Sequence, residues 1–283
     1  MANLMKTFLI AAISGLSFVA LGVCQANSWE EDGLRGNVKR LSVQRTEISN
    51  GTSGAVEGAR KPVVEASYTT TGQKTEESRY SSSGALLWTF SYVYDEMGRR
   101  TSTECRFAKG QTTLKLISTY ASDGRKEKSV TLGPGGVLQE QSTYSYDAQG
   151  NNVEVANLAA DGSSVGRWTY AYNEKGRVRE WIAYDANGGI VQDSAYSYDS
   201  EGRLKVTEEY GANNTLERKT IYDSKGNEIE VEKYSANGAF LWKRQFEYTF
   251  DEAGNWTRKI TKEDRGMKDF TPVEIDLRTL EYY

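Results

Sequence analysis

The amino-acid sequence predicts an all-β protein of repeated antiparallel β-hairpins that form one long curled or spiral sheet, with capping strands at both ends. Between Tyr68 and Phe250 the chain repeats one phrase: an aromatic residue, a short turn, a glycine and a strand. Apolar and polar residues alternate between the turns, which is the pattern of half-buried strands. The chain has only 3 prolines, as expected where strands must donate ladder hydrogen bonds.

The turns have a clear chemical basis. Clear copies of the phrase read Tyr94-Asp-Glu-Met-Gly98 and Tyr222-Asp-Ser-Lys-Gly226. The aspartate carboxylate can accept the backbone N–H two residues further on, and glycine tolerates the positive φ that ends the loop. Each copy is therefore predicted to close a hairpin.

The strands between these turns carry one aromatic face. Trp88, Phe90 and Tyr92 alternate with small or polar residues, and a period of two places them on the same side of a strand. The repeat predicts about 18 to 20 strands. Because a twisted open sheet rarely exceeds about 10 strands without curling, we expect the sheet to curl with its aromatic face inward. The degree of closure is left open.

The first 26 residues have the form of an export signal. Lys6 supplies a basic start and an uncharged, largely apolar stretch follows it, as in a secretory signal peptide. Two forms of processing are open. Cleavage after Ala26 would release a soluble protein, whereas the stretch ending in Val23-Cys24 resembles a lipobox that would place a lipid anchor on Cys24. Either way the chain is predicted to be exported to the periplasm, outer envelope or extracellular space, with no membrane span after signal removal.

The predicted organisation has one domain and no linker. Its segments are a signal peptide (1–26), N-terminal capping strands with a glycine-rich loop (27–67), the hairpin repeats (68–256) and C-terminal capping strands (257–283). Atypical terminal units are what a repeat array needs to cover its edges.

Composition argues against several classes of function. The net charge is −4 with both signs interspersed, which disfavours a nucleic-acid partner. The chain has no histidine, so Ser-His-Asp chemistry and the commonest zinc ligand are excluded. Cys105 is predicted to be a packing residue and the turn aspartates to close turns rather than bind calcium. We therefore expect no enzyme activity, no cofactor and no metal site.

Two copies with arginine after the glycine carry a family resemblance. Tyr94-Asp-Glu-Met-Gly98-Arg99 and Tyr198-Asp-Ser-Glu-Gly202-Arg203 resemble the RHS/YD-repeat family, over about two-thirds of the chain. The resemblance implies a spiralling hairpin ribbon in an envelope-associated or secreted bacterial protein, whose relatives are described as carbohydrate-binding or cell-surface proteins. The chain looks too short to enclose a toxin domain, so it resembles a small stand-alone exported member.

The tryptophans are the candidate binding residues, because flat rings can stack on sugars. The alternative is that large rings simply fill the interior of the sheet. Trp181 is predicted to lie on the face opposite the other candidates, which are Trp88, Trp168, Trp242 and Trp256. The leading interpretation is a non-enzymatic envelope or cell-surface binding module, with glycans or another envelope protein as partner. The alternative is a structural or scaffolding envelope protein with protein partners only.

Overall fold

The computed structural model describes residues 28–51, 54–108, 113–266 and 269–283. The predicted signal peptide and Cys24 lie outside these residues, so their processing stays a prediction. Within the described residues, no helix has the length and apolar character needed to span a bilayer.

The described chain forms one short helix, α1 (Ser28–Glu31), and 19 strands. A 3₁₀ turn, Pro134–Gly136, joins two of the strands. The strands are β1 (Val38–Gly51), β2 (Gly54–Glu57), β3 (Lys61–Tyr68), β4 (Lys74–Tyr80), β5 (Leu86–Tyr94), β6 (Arg100–Phe107), β7 (Thr113–Tyr120), β8 (Lys126–Leu132), β9 (Leu138–Tyr146), β10 (Asn152–Ala159), β11 (Ser164–Tyr172), β12 (Val178–Asp185), β13 (Ile190–Tyr198), β14 (Leu204–Gly211), β15 (Leu216–Tyr222), β16 (Glu228–Tyr234), β17 (Phe240–Phe250), β18 (Trp256–Asp264) and β19 (Thr271–Tyr282).

The turns have the predicted chemistry. In the β5–β6 hairpin the Asp95 carboxylate accepts the backbone N–H groups of Met97 (3.0 Å) and Arg99 (2.8 Å). Gly98 adopts φ 79°, a left-handed conformation that side chains rarely tolerate. The strand register shifts between Val93 and Tyr94, just before the turn. The prediction of an all-β fold of antiparallel hairpins is confirmed.

The chain divides into two compact units. The first contains residues 28–41, 64–167 and 281–283, and the second contains 42–63 and 168–280. In the first unit, β4 to β10 pair antiparallel in chain order. In the second unit, β12 to β18 do the same. Each unit is therefore a meander of hairpins.

Each unit buries one face of its strands. In the first unit Phe90, Cys105 and Leu116 form a buried cluster, against which Trp88 and Phe107 pack. In the second unit the buried side chains include Trp181 and Val231 together with several threonines. Period-two alternation accounts for this arrangement, since every second side chain reaches the same face.

The pairing of the terminal strands differs from the prediction. β1 pairs with both β3 and β19. Within the first unit, the Tyr283 N–H donates to the Asn37 carbonyl at 3.0 Å. Within the second, the Arg45 guanidinium donates to both carboxylate oxygens of Asp276, at 2.6 and 3.0 Å. The prediction of a curled or spiral sheet, possibly partly closed, is therefore corrected at its ends, because the two terminal strands pair with each other instead of capping separate edges. Pairing of the first and last strands satisfies backbone groups that two free edges would leave exposed.

Candidate functional site

Five of the described tyrosine hydroxyls bind backbone carbonyls at the ends of neighbouring strands. Each of the five donates to the carbonyl of the residue 20 positions earlier, which lies at the start of the preceding strand. The bonds in the first unit run from Tyr94 to Lys74 (2.9 Å), from Tyr120 to Arg100 (2.7 Å) and from Tyr146 to Lys126 (2.8 Å). Those in the second run from Tyr198 to Val178 (2.6 Å) and from Tyr248 to Glu228 (2.8 Å). We call this end of the strands the tyrosine turn row.

The residue after the turn glycine links one turn of this row to the next. The Arg99 guanidinium, held by Asp95 at 2.7 Å, lies 4.7 Å from the centre of the Tyr120 ring. In the second unit Arg177 lies 5.7 Å from the centre of the Tyr198 ring. These stacks are cation–π contacts between consecutive repeats. The most conspicuous motif of the sequence thus serves the architecture.

The structure places the five candidate tryptophans on different strands. Trp88 lies on β5 in the first unit, and Trp168, Trp181, Trp242 and Trp256 lie on β11, β12, β17 and β18 in the second. The described contacts of the rings decide how much of each is open to a ligand.

Trp181 is 4% exposed, so its ring offers little surface to a ligand. It pairs with Ser194, on the face of β13 that also carries Tyr196. The predicted placement on the opposite face is wrong. Trp181 therefore belongs to the buried side chains of the second unit.

The other four tryptophans are half-buried, and three of them have described ring or cation contacts. Trp88 meets Phe90 and Phe107 edge to face, each at 6.5 Å. Arg244 lies 4.6 Å from the Trp242 ring centre, and Arg278 lies 3.9 Å from that of Trp256. These contacts occupy ring surface that a sugar would need. The role of the tryptophans as sugar platforms stays a prediction.

Sequence reasoning missed a row of cations at the tyrosine turn row of the first unit. Lys74, Arg100 and Lys126 are the first residues of β4, β6 and β8. We call these three residues the basic row. The signal was present in the sequence, since each follows a turn glycine by two residues (Gly72, Gly98 and Gly124).

The segment around α1 supplies acidic partners to this row. Glu31 accepts a hydrogen bond from Arg100 at 2.9 Å, and Asp32 accepts one from Lys74 at 2.9 Å. The Ser28 and Tyr94 hydroxyls are 3.2 Å apart. The start of the described chain is therefore docked on the buried face of the first unit by charge-assisted hydrogen bonds.

The three cations have different electrostatic surroundings. Burial opposes the charge of Lys74, but Asp32 and Glu77 outweigh it and raise the pKa of the amine. Burial likewise opposes the charge of Arg100, but Glu31 chiefly outweighs it, so its pKa is raised as well. For Lys126 burial dominates and Arg100 adds to it, so the pKa falls to about 8 although Glu31 opposes the fall.

Metal and thiol chemistry find little support in the described residues. No group of three or more histidine, cysteine, aspartate or glutamate residues within the described ranges is arranged to hold a metal ion. Cys105 is buried, and burial raises the pKa of its thiol to about 11. A thiol with so high a pKa is a poor nucleophile at neutral pH.

The opposite ends of the strands carry exposed apolar residues, and we call this end the apolar turn row. It contains Leu86 and Leu87 (40% and 37% exposed) and Val137 (59%) in the first unit. In the second unit it contains Ile190 and Val191 (44% and 48%) and Phe240 and Leu241 (42% and 46%). The turns 81–85 and 235–239, which precede two of these pairs, contain no charged residue.

Comparison with known proteins gives no family. No protein-family model and no curated protein matches the chain. Among solved structures, a porin-like protein from Bacteroides uniformis is 12% identical, with 86% of this chain and 96% of that one covered and a TM-score of 0.45. A porin-like protein from Bacteroides vulgatus is 12% identical, with 85% and 97% covered and a TM-score of 0.34.

These comparisons correct the family prediction. The expected membership of the RHS/YD-repeat family is wrong, since no family model matches the chain. At such identities and TM-scores the likeness carries no argument about function.

Proposed function

We propose that this chain is an exported, non-enzymatic scaffold protein of the cell envelope that binds a protein partner through its apolar turn row. The observation that carries the proposal is the set of exposed apolar pairs at the starts of β5, β13 and β17. Export rests on the signal-like residues 1–26. A protein with an uncharged, apolar docking surface is the partner that fits this row.

Each pair lies where the strand register shifts, so that Leu87, Val191 or Leu241 has no partner residue on the preceding strand. Such an irregularity interrupts the regular alternation of faces and leaves an extra side chain outside the ladder. Phe240 and Leu241 both remain more than two-fifths exposed. Because more than half of each such side chain is already buried, covering the rest with a partner would contribute about 1 kcal/mol. Within the second unit, the pairs at the starts of β13 and β17 give a partner more than one such contact.

A protein partner is favoured over a glycan by the state of the aromatic rings. A sugar platform needs an open ring face with polar groups around it. Trp181 is buried, and the Trp88, Trp242 and Trp256 rings are in contact with neighbouring side chains. Leu86 and Leu87 offer apolar surface without a ring face.

The absence of catalysis is part of the proposal and is supported by the ion pairs of the strands. Lys243 binds both Glu230 (2.6 Å) and Glu232 (3.3 Å), and Lys219 binds Glu208 at 3.1 Å. Lysines of the neighbouring strands therefore occupy these carboxylates.

Photo-crosslinking in intact cells tests the proposal. A benzophenone amino acid would replace Leu87 in the first unit or Leu241 in the second, and Met97 would be the control. Met97 is a large apolar side chain, 74% exposed, in the tyrosine turn row. We expect Leu87 and Leu241, but not Met97, to capture one defined envelope protein. Capture of nothing, of a second copy of this chain, or of the same proteins from Met97 would refute the proposal.

A further inference from the structure

The basic row of the first unit is only partly neutralised. Lys74 contacts Asp32 at 2.9 Å and Glu77 at 2.6 Å, and Arg100 contacts Glu31 at 2.9 Å. Within the described residues, no ion pair of Lys126 is found. The third cation of the row therefore lacks the acidic partner that the first two have.

Aromatic rings surround the Lys126 amine. Its Nζ lies 5.5 Å from the centre of the Tyr144 ring and 5.9 Å from that of Tyr120. The Tyr144 hydroxyl lies 3.0 Å from the Ser129 hydroxyl. Arg100 is near enough to disfavour the charge of Lys126. The amine is thus set among rings and a second cation, and burial disfavours its charge.

The described acids of this cluster bind the other two cations of the row. Asp32 and Glu77 bind Lys74, and Glu31 binds Arg100. Lys126 therefore shares these acids only at longer range, while burial disfavours its charge. An uncompensated charge removed from water is costly, and a bound counter-ion would relieve that cost.

We propose that Lys126, with Arg100 beside it and the Tyr144 and Ser129 hydroxyls nearby, binds a small anion with carboxylate or phosphate oxygens. Lys126 would supply the charge, and a hydroxyl can rotate to donate a hydrogen bond to an anionic oxygen. The rings of Tyr120 and Tyr144 limit the site to a small group. This site is independent of the proposed function, because it lies on the buried face at the other end of the strands.

Thermal unfolding at low ionic strength, with added sodium phosphate or sodium acetate, tests this site. The test variant is Lys126→Met. The matched control is Lys128→Met, which removes the same charge from the exposed face of the same strand. Neither substitution touches the backbone carbonyl of Lys126 that Tyr146 binds.

We expect at least one of the two anions to raise the Tm of the wild type and of Lys128→Met in a saturable manner, and to leave that of Lys126→Met unchanged. Lys126→Arg, which keeps the charge, should retain the response and covers the case in which Lys126→Met fails to fold. Which salt acts separates phosphate from carboxylate recognition. An equal response in Lys126→Met and the wild type, or no saturable response to either salt in the wild type, would overturn the proposal.

Discussion

Replacing Gly202 by alanine should show that the tyrosine turn row couples consecutive repeats. Gly202 closes the β13–β14 turn with φ 82°, and an added Cβ would overlap the Arg177 guanidinium. That guanidinium lies 5.7 Å from the centre of the Tyr198 ring. The substitution therefore imposes two costs, one on its own backbone and one on the contact with the preceding turn.

Gly226 is the matched control. It closes the β15–β16 turn with φ 87° and would meet no atom within 4 Å if it carried a Cβ. For an L-residue the left-handed conformation costs roughly 1–2 kcal/mol, and we expect Gly226→Ala to lose about this much stability. Gly202→Ala should lose the same plus about 0.5–1 kcal/mol for the displaced cation–π contact.

Urea unfolding followed by circular dichroism measures both differences. In an Arg177→Ala background the extra cost of Gly202→Ala should vanish, so that the two glycine substitutions become equivalent. Equal losses for Gly202→Ala and Gly226→Ala in the wild-type background would refute the coupling. An unchanged difference after Arg177→Ala would refute it as well.

The remaining predictions concern charge, the repeated hydroxyls and the pairing of the terminal strands. Lys126→Met should stabilise the anion-free protein at pH 7 by roughly 2–3 kcal/mol, because the pKa of this lysine is lowered to about 8. The stabilisation by Lys126→Met should shrink as the pH rises from 8 towards 10.5, where the lysine of the unfolded chain also loses its proton. Urea titrations across that range measure this change, and a constant stabilisation would contradict the prediction. Tyr146→Phe removes the hydrogen bond to the Lys126 carbonyl and should lower the free energy of unfolding by about 0.5–1.5 kcal/mol. An unchanged free energy of unfolding in the same assay would show that this hydroxyl does not stabilise the fold. Arg45→Met should lower the free energy of unfolding by about 1–3 kcal/mol, because Asp276 is 2% exposed and keeps only Lys259 as a described cation partner. An unchanged Tm would count against the pairing of β1 with β19.

The repeat made the local structure predictable. The phrase at Tyr94–Gly98 specified a turn closed by Asp95, because an aspartate and a glycine at these positions leave few alternatives. Alternation likewise placed Phe90 and Tyr92 on one face. These features depend on residues close in sequence, so one copy of the phrase was enough to predict them.

Long-range features could not be predicted in the same way. Pairing of β1 with β19 joins residues such as Arg45 and Asp276, which are 231 positions apart, and no local pattern specifies such a partner. Register shifts such as that between Ala183 and Tyr184, where β13 has the extra residue Val191, are also not detected by period counting. The sequence did not show the difference between Lys74 and Lys126, because that difference depends on acidic partners from the segment around α1.

The central claim is that the apolar turn row is the surface that binds a protein partner. Its most direct test is co-purification of the crosslinked envelope protein with Leu241→Ser, with Met97→Ser as the control. Loss of one such leucine contact, about 1 kcal/mol, should lower the affinity about fivefold, and Met97→Ser should bind like the wild type. Equal recovery of the partner by Leu241→Ser and the wild type, at equal thermal stability, would contradict the claim.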